Sequence, residues 1–484
     1  MPAPSYGKIA QIRTPQALQE RLASLNLQLP VDPEVLSAAE GSPLAAEGTA
    51  EGLRIGNRWC IHPMEGWDAG RDGTPSEWTI RRWQRFGQSG AKLIWGGEAA
   101  AVRPDGRANP NQTMALAANE PGLQQLRNVL VEAHQEAAGC TDDLVVGLQL
   151  THSGRFCRPN DKKLLEPRIA YHHPILDKRF QIDPLDHSVV WTDAELDDLI
   201  EEYVRAAKLA ETCGFQFVDI KSCHGYLLHE FLSARSRPGK YGGDLAGRSR
   251  LLLSIIKAVR IACPKLAIGV RLSLFDTLPY QQGEEVGVPA PWDSATEYDA
   301  GFGCRADDPL QMDLKEPIEL VRLLAAEGVR LLNLSCGSPY YNPHIQRPAI
   351  FPPSDGYQLP EDPLCGVVRQ VRATAECKAA VPEMFMVGSG YSYLQDYVAH
   401  VGQAVVREGM VDSIGLGRMV LSYPELPLDT LAGRPMVRKL ICRTFSDCTT
   451  APRNGMISGC FPLDPAYKAL PERKQLIEIK KSQS

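Results

Sequence analysis

Short apolar runs alternate along most of this chain with longer segments in which apolar residues recur every three or four positions. The short runs, at 57–63, 92–97, 144–150, 215–221, 266–272, 329–335, 383–388 and 411–415, read as strands. The segments between them, at 77–90, 121–138, 193–213, 245–262, 317–327, 363–379 and 394–408, carry helical periodicity. Thr192-Asp193-Ala194-Glu195 has the spacing of a capping box and marks one helix start.

Strand–helix alternation implies parallel strands joined by right-handed crossovers. Eight such strands predict an α/β protein of the (β/α)₈ TIM-barrel type, with an open doubly wound sheet as the alternative. Residues 1–50 are rich in Pro, Ala and Ser, with one helix predicted near 15–25, and read as an N-terminal extension. The barrel is expected over 51–430 and a C-terminal extension over 431–484. Two long interruptions, 156–191 and 275–312, each follow a strand end and are expected over the C-terminal face, where lids form.

The barrel register makes a test, because chemistry collects at the C-terminal ends of the strands. The fourth run ends in Lys221, His224 and Tyr226, three proton-capable groups that a packed core does not need. Together they suit a site that handles developing negative charge. Other strand ends carry His62-Pro63-Met64-Glu65, Gly97-Glu98, Gln149, Arg271, Gly388-Ser389-Gly390 and Gly417-Arg418. The last two groups suit a phosphate, held by backbone N–H groups and a guanidinium after strands 7 and 8. Gly388-Ser389-Gly390 runs into Tyr391-Ser392-Tyr393, so it lacks the third glycine of a dinucleotide fingerprint.

Composition narrows the class. The chain has 484 residues, 44% hydrophobic and 23% charged, with a net charge of −6. That balance is globular and gives no electrostatic reason to expect nucleic acid. No apolar run approaches the ~18 residues of a membrane span, and the start lacks signal-peptide character. Thirteen cysteines without a Cys-x-x-Cys read as reduced thiols of a cytoplasmic enzyme, with no metal site expected.

Several ordered blocks carry a resemblance. They include Asn57…Pro63-Met64, Pro104-Asp105-Gly106-Arg107, Gln149…His152-Ser153-Gly154-Arg155 and His224-Gly225-Tyr226-Leu227…Phe231-Leu232-Ser233. Further along come Tyr241-Gly242-Gly243-Asp244-Leu245, Val270-Arg271-Leu272-Ser273, Gly388-Ser389-Gly390 and Gly417-Arg418…Tyr423-Pro424-Glu425. In this order, from about Leu53 to Pro427, the chain resembles the Old Yellow Enzyme family of FMN-dependent NAD(P)H oxidoreductases. The resemblance implies FMN across the C-terminal face of the barrel. Pro63, Met64, Gly97 and Glu98 match positions along the flavin. Gln149 matches the glutamine at its pyrimidine edge, and Arg271 the arginine beside N1 and O2. Gly388, Ser389, Gly390, Gly417 and Arg418 match the phosphate cradle. It also implies NADH or NADPH as reductant and a small electron-poor alkene as substrate. Tyr226 matches the proton donor, and His224 one of two residues that grip the substrate's oxygen. A homo-oligomer is compatible with this reading.

The chain departs from the family at Lys221, where the first gripping histidine is expected, and at Glu65, where a small polar residue is usual. A Lys221–Glu65 ion pair is the expectation, to be rejected if the charged atoms lie apart. Cys448 and Cys460, with eleven residues between them, resemble the last two ligands of an iron–sulfur site in larger relatives. The preceding Cys-x-x-Cys is absent and Cys442 is out of step. The first expectation is therefore reduction of an activated C=C bond. A flavin dehydrogenase or isomerase of an amine or cyclic ketone is the alternative, and FMN binding without turnover a third.

Overall fold

The computed structural model describes residues 6–481. Its barrel strands are β1 (Trp59–Ile61), β2 (Leu93–Ile94), β3 (Val145–Thr151), β4 (Phe217–Ile220), β5 (Ala267–Ser273), β6 (Leu331–Ser335), β7 (Phe385–Gly388) and β8 (Ser413–Leu416). They pair in parallel in chain order, and β8 returns to β1 through Ile414–Trp59 and Leu416–Ile61. The sheet is thus a closed (β/α)₈ barrel, and the open-sheet alternative falls. A short extra strand, Ala99–Ala101, prolongs the barrel wall beside Gln149–Thr151.

Crossovers are made by α1 (Glu77–Gly87), α2 (Glu120–Ala138), α3 (Asp193–Thr212), α4 (Leu245–Ala262), α5 (Lys315–Ala326), α6 (Pro363–Ala380) and α7 (Val398–Arg407). The expected capping box closes at α3. Thr192 N donates to Glu195 Oε2 at 2.8 Å, and Glu195 N to Thr192 Oγ1 at 3.3 Å. The last crossover departs from expectation: residues Tyr391–Tyr397 form a 3₁₀ segment before α7. It is kinked at Gln395, whose φ is 53, and Tyr391, Leu394 and Tyr397 are all buried.

Two apolar clusters show which strand residues face in. Cys60, Leu93, Trp95, Val145, Phe217, Ala267, Leu331, Phe385 and Val387 pack together inside the barrel. Their sequence neighbours, such as Ile61, Val146, Val218, Ile268 and Leu332, join the larger core under the helices. Side chains alternate between faces along a strand, so the inward set fixes register. Glycine makes room in this layer: a Cβ on Gly147 would meet the Phe217 ring at 2.3 Å. The hairpin Gly48–Ala50/Leu53–Ile55 plugs the N-terminal mouth, where Ala50 and Ile55 join the same cluster. Chemistry is left to the other end.

The segment after the barrel does not hang free. Its helix Asp447–Arg453 docks on the β6–α6 loop, through Arg347 to Thr449 Oγ1 and Ser354 N to Thr450 Oγ1 (3.2 Å). Its later part binds α1, with Arg81 bidentate to Asp464 at 2.8 and 2.9 Å and Trp78 4.8 Å from Tyr467. The expected lids differ. Neither 156–191 nor 275–312 contributes a lining residue to the main cavity; the β6–α6 loop and the C-terminal segment wall it instead. The first loop is tied down by buried Arg155, which pairs with Asp177 and Glu230.

Candidate active site

The inward parity of each strand, carried past the apolar layer, generates the site. Two residues above Cys60 comes His62. Above Val145 come Gly147 and then Gln149; above Phe217 come Asp219 and Lys221; above Ala267 come Gly269 and Arg271. Asn333 and Ser335 follow Leu331, and Ser389 follows Val387. Of these, His62, Gln149, Lys221, Arg271, Ser335 and Ser389 line one cavity of about 260 Å³.

At the cavity floor, Gln149 Nε2 donates to Asp219 Oδ2 at 2.6 Å and Arg271 N to Asp219 Oδ1 at 2.6 Å. Burial raises the Asp219 carboxyl to about 6. Arg271 Nη1 reaches Pro63 O at 3.4 Å, while its Nε is buried without a partner. Beside it runs a chain of neutral groups. Asn333 Nδ2 lies 3.0 Å from His62 Nδ1, His62 Nε2 lies 3.1 Å from Ser389 Oγ, and Ser389 donates to Leu334 O at 2.6 Å. Burial, with Arg271 nearby, holds His62 well below the usual imidazole range. A ring accepting from Asn333 and donating to Ser389 satisfies both nitrogens in the neutral form. Gly415 is required here, because a Cβ would fall 2.0 Å from His62 Cε1.

One end of the cavity is cationic. Arg418 Nη2 donates to Pro348 O at 2.6 Å, and its Nη1 is buried and unpartnered. Arg347, from the β6–α6 loop, bonds Thr449 and leaves Nη2 buried and unpartnered. Burial and the neighbouring Arg418 both depress Arg347. Unneutralised guanidiniums sharing a buried site call for an anion with several acceptor oxygens. Ser389, Gly390 and Gly417 line the same end. The donors present therefore fit FMN: Arg347 and Arg418 suit its phosphate, while Arg271 and the carbonyl of Gln149 suit the polar edge of its ring.

The cavity wall also holds Lys221, His224 and Tyr226. Lys221 Nζ lies 3.8 Å from the centroid of the Tyr226 ring. The Tyr226 hydroxyl lies 3.0 Å from that of Tyr340. Burial, then the Glu65 charge, raises the Tyr226 phenol well above its ordinary value, so it is protonated at neutral pH. His224 takes a left-handed backbone conformation (φ 64), and its Nε2 contacts Ser335 Oγ at 2.8 Å and Gln346 Nε2 at 3.3 Å. Burial and the cations Arg271 and Lys221 keep it neutral.

The expected Lys221–Glu65 ion pair is absent. Glu65 Oε1 accepts from Asn109 Nδ2 at 3.2 Å, and its Oε2 is buried without a hydrogen-bond partner. Among the described residues no carboxylate lies within ion-pair reach of Lys221. The two still feel each other: burial raises Glu65 and lowers Lys221, and each opposes the other's shift. The ammonium packs on the Tyr226 face instead, a favourable cation–π arrangement.

Of the residues expected from sequence, Pro63, Met64, Gln149, Lys221, His224, Tyr226, Arg271, Ser389, Gly390, Gly417 and Arg418 line this cavity. Gly97, Glu98 and Gly388 do not. Gly97 O accepts from Met64 N at 2.9 Å and so shapes the loop from behind. Glu98 is committed to Arg82 (3.0 Å from Nε), which also holds Asp68, and to Gly66 N at 2.9 Å. Sequence reasoning missed Arg347, Tyr340 and the C-terminal segment, whose Cys448, Thr449 and Arg453 reach the cavity. The signal for Arg347 was available: it follows β6, the one barrel strand end to which no site residue had been assigned. Cys442, Cys448 and Cys460 lie near enough to influence one another, but no group of three or more ligating side chains among the described residues is placed to hold a metal.

Comparison with known proteins gives the fold and the family. Solved structures with the same fold include a 2-naphthoyl-CoA reductase complex, with a TM-score of 0.63 and 17% identity. That match covers 88% of this chain and 57% of the other. Morphinone reductase in complex with tetrahydroNAD has a TM-score of 0.55 at 18% identity, covering 81% of this chain and 91% of the other. An old yellow enzyme homologue from Zymomonas mobilis has a TM-score of 0.55 at 19% identity, covering 82% and 94%. In sequence, an NADH:flavin oxidoreductase of Gibberella zeae is 26% identical over 379 residues, 75% of this chain and 80% of that protein. An NADPH dehydrogenase of a Geobacillus species is 24% identical over 390 residues, 78% and 91% of the two chains. Residues 51–300 match the NADH:flavin oxidoreductase / NADH oxidase family, to which this chain belongs as an FMN-dependent NAD(P)H oxidoreductase.

Proposed function

We propose that the enzyme reduces an activated C=C bond, with Tyr226 as proton donor and Lys221 as the group that holds the acceptor's oxygen. The observation that carries this is the Tyr226 phenol, kept protonated inside the cavity with an unpaired ammonium 3.8 Å from its ring centre. FMN, when bound, supplies the hydride-transfer chemistry. Arg271, Arg347 and Arg418 would hold it, and Gln149, fixed by Asp219, would orient it. Lys221 stabilises negative charge that develops on the substrate's carbonyl or nitro oxygen. Tyr226 delivers its proton to the α-carbon. Neutral His224 lines the same wall and fixes the acceptor's orientation. The substrate is a small molecule, and NADH or NADPH is the reductant.

One observation favours a second reading. Glu65 places a buried carboxylate oxygen without a hydrogen-bond partner at the cavity, which suits a cationic amine and hydride flow in the other direction. Anaerobic half-reactions separate the two. The FMN-loaded enzyme should be bleached by NADH or NADPH and recoloured by an enone or nitroalkene. Bleaching by an amine, with no recolouring by any electron-poor alkene, overturns the first reading.

A further inference from the structure

Tyr226 is 6% exposed. Once it has given up its proton, it must be refilled, and the phenol meets solvent only through the cavity that it lines. Its hydroxyl contacts that of Tyr340 at 3.0 Å, with the two rings edge-on at 84°. Tyr340 is half-buried and lines the cavity beside Pro339 and Arg453. It therefore spans from the buried phenol to the solvent side.

Tyr340 is held more firmly than a loose surface ring. It stacks on Phe156 with centroids 3.9 Å apart and 15° between planes. The Arg453 guanidinium lies 5.8 Å over the same ring. Its backbone is pinned by Tyr340 N to Ser338 Oγ at 3.2 Å and by Arg179 Nη2 to Tyr340 O at 2.9 Å. The stack needs only the ring, and phenylalanine would serve it. The hydroxyl is surplus to packing.

We propose that Tyr340 is a proton-relay residue that recharges Tyr226 after each turnover. The inference rests on Tyr226 being the donor. The Tyr226 O–H bond breaks as the α-carbon C–H bond forms. The Tyr340 O–H bond then breaks as the Tyr226 O–H bond re-forms. Water at the cavity mouth finally returns a proton to the Tyr340 phenolate. No oxidant or reductant is needed for the relay.

The charged and titratable groups around the pair fit a transient phenolate. Lys221 packs on the Tyr226 face, and Arg158 and Arg453 act on Tyr340. Glu65 opposes ionisation of both phenols, so neither rests as a phenolate. Cys223, with its thiol raised to about 11, stays neutral.

Tyr340→Phe keeps the Phe156 stack and removes only the hydroxyl. With FMN-loaded enzyme, the first reoxidation of reduced protein by an enone should stay within about twofold of the parent. Tyr226 starts that turnover protonated. Steady-state turnover should fall ~10-fold and carry the solvent deuterium isotope effect, as expected when a proton-transfer step becomes limiting. Reduction by nicotinamide should not change. ¹³Cζ-tyrosine NMR, with Tyr226 assigned by Tyr226→Phe, should show the Tyr226 titration displaced once its partner hydroxyl is gone, because the two phenols are coupled. Unchanged turnover with an unmoved Tyr226 titration overturns the relay, as does an equal loss in both phases. A turnover defect in Glu65→Gln but not in Tyr340→Phe overturns it in favour of the carboxyl as proton source. If Tyr226→Phe itself reoxidises normally, the donor assignment fails, and the relay with it.

Discussion

Lys221 Nζ sits 3.8 Å from the centre of the Tyr226 ring and makes no ion pair with Glu65. The position expected to form an ion pair instead sets an ammonium against the proposed proton donor. Its charge can be shared between the developing oxyanion and the phenolate left on Tyr226.

Lys221→Met should therefore slow reoxidation of the reduced enzyme by an enone. Loss of one donor to a developing oxyanion costs about 10²-fold in comparable sites. The reductive half-reaction should change far less, because the nicotinamide ring develops no enolate. Stopped-flow absorbance of the two half-reactions checks this. Equal losses in both would assign Lys221 to cofactor placement instead.

The paired guanidiniums of Arg347 and Arg418 predict effects of opposite sign in the apo- and holoenzyme. Without an anion they repel, and each carries a buried, unpartnered nitrogen. Arg347→Met should leave the apoprotein as stable as the parent or more so, once the lost Thr449 contact is offset. It should weaken FMN binding by about 10- to 100-fold, the worth of a charge-assisted hydrogen bond of roughly 1.5–3 kcal/mol. Thermal melts with and without FMN, plus FMN fluorescence titration, read both.

Removal of FMN from the parent protein should lower its melting temperature, and inorganic phosphate should restore part of the loss. A ligand that binds only the native state stabilises by mass action, about 2.7 kcal/mol at a concentration of 100 Kd. Phosphate recovers only the part owed to Arg347 and Arg418. A melt insensitive to phosphate would place the anion elsewhere.

Much of this was legible in the sequence because the barrel repeats two rules, one strand period and one active end. Strand positions and the inward parity of Gln149, Lys221, Arg271 and Ser389 follow from alternation alone. What escaped depends on segments with no period. The β6–α6 loop brings Tyr340 and Arg347 inward through turns that end in a four-residue helix, Pro343–Gln346. The segment beyond the barrel reaches the cavity through contacts between residues about a hundred positions apart, such as Arg347 with Thr449. Glu98 misled for another reason. Its place at a strand end is right, but its carboxylate is consumed by Arg82 and Gly66, and a sequence does not show which polar group has already found a partner.

Glu98 is accordingly a structural carboxylate, and Glu98→Gln should behave as one. Arg82 keeps its bidentate partner Asp68, so the variant leaves no charge unpaired and only weakens the bonds that Arg82 Nε and Gly66 N donate to Glu98. A hydrogen bond to a charged group is worth about 1.5–3 kcal/mol. Stability should fall by that order in urea denaturation. FMN affinity should also weaken, because Glu98 holds Gly66 N and with it the Met64–Glu65 turn.

Asp219 yields the pH prediction. Its carboxyl is raised to about 6 by burial, against about 3.9 in an unfolded chain. Between those values the native state binds more protons than the unfolded state, so this group makes stability fall as pH rises. Below about 3.9 both states are protonated, and above about 6 both are ionised, so the contribution is flat on either side. Asp219→Asn removes the ionisation while keeping an oxygen to accept from Arg271 N. Its second atom becomes a donor facing the Gln149 amide, a fixed penalty independent of pH. The stability difference between variant and parent should therefore shift in the variant's favour as pH climbs from about 4 to about 6, then hold constant. Urea midpoints across that range measure it. A difference that stays level throughout would mean that Asp219 ionises with an ordinary carboxylate pKa, and that its bonds to Gln149 and Arg271 fully offset burial.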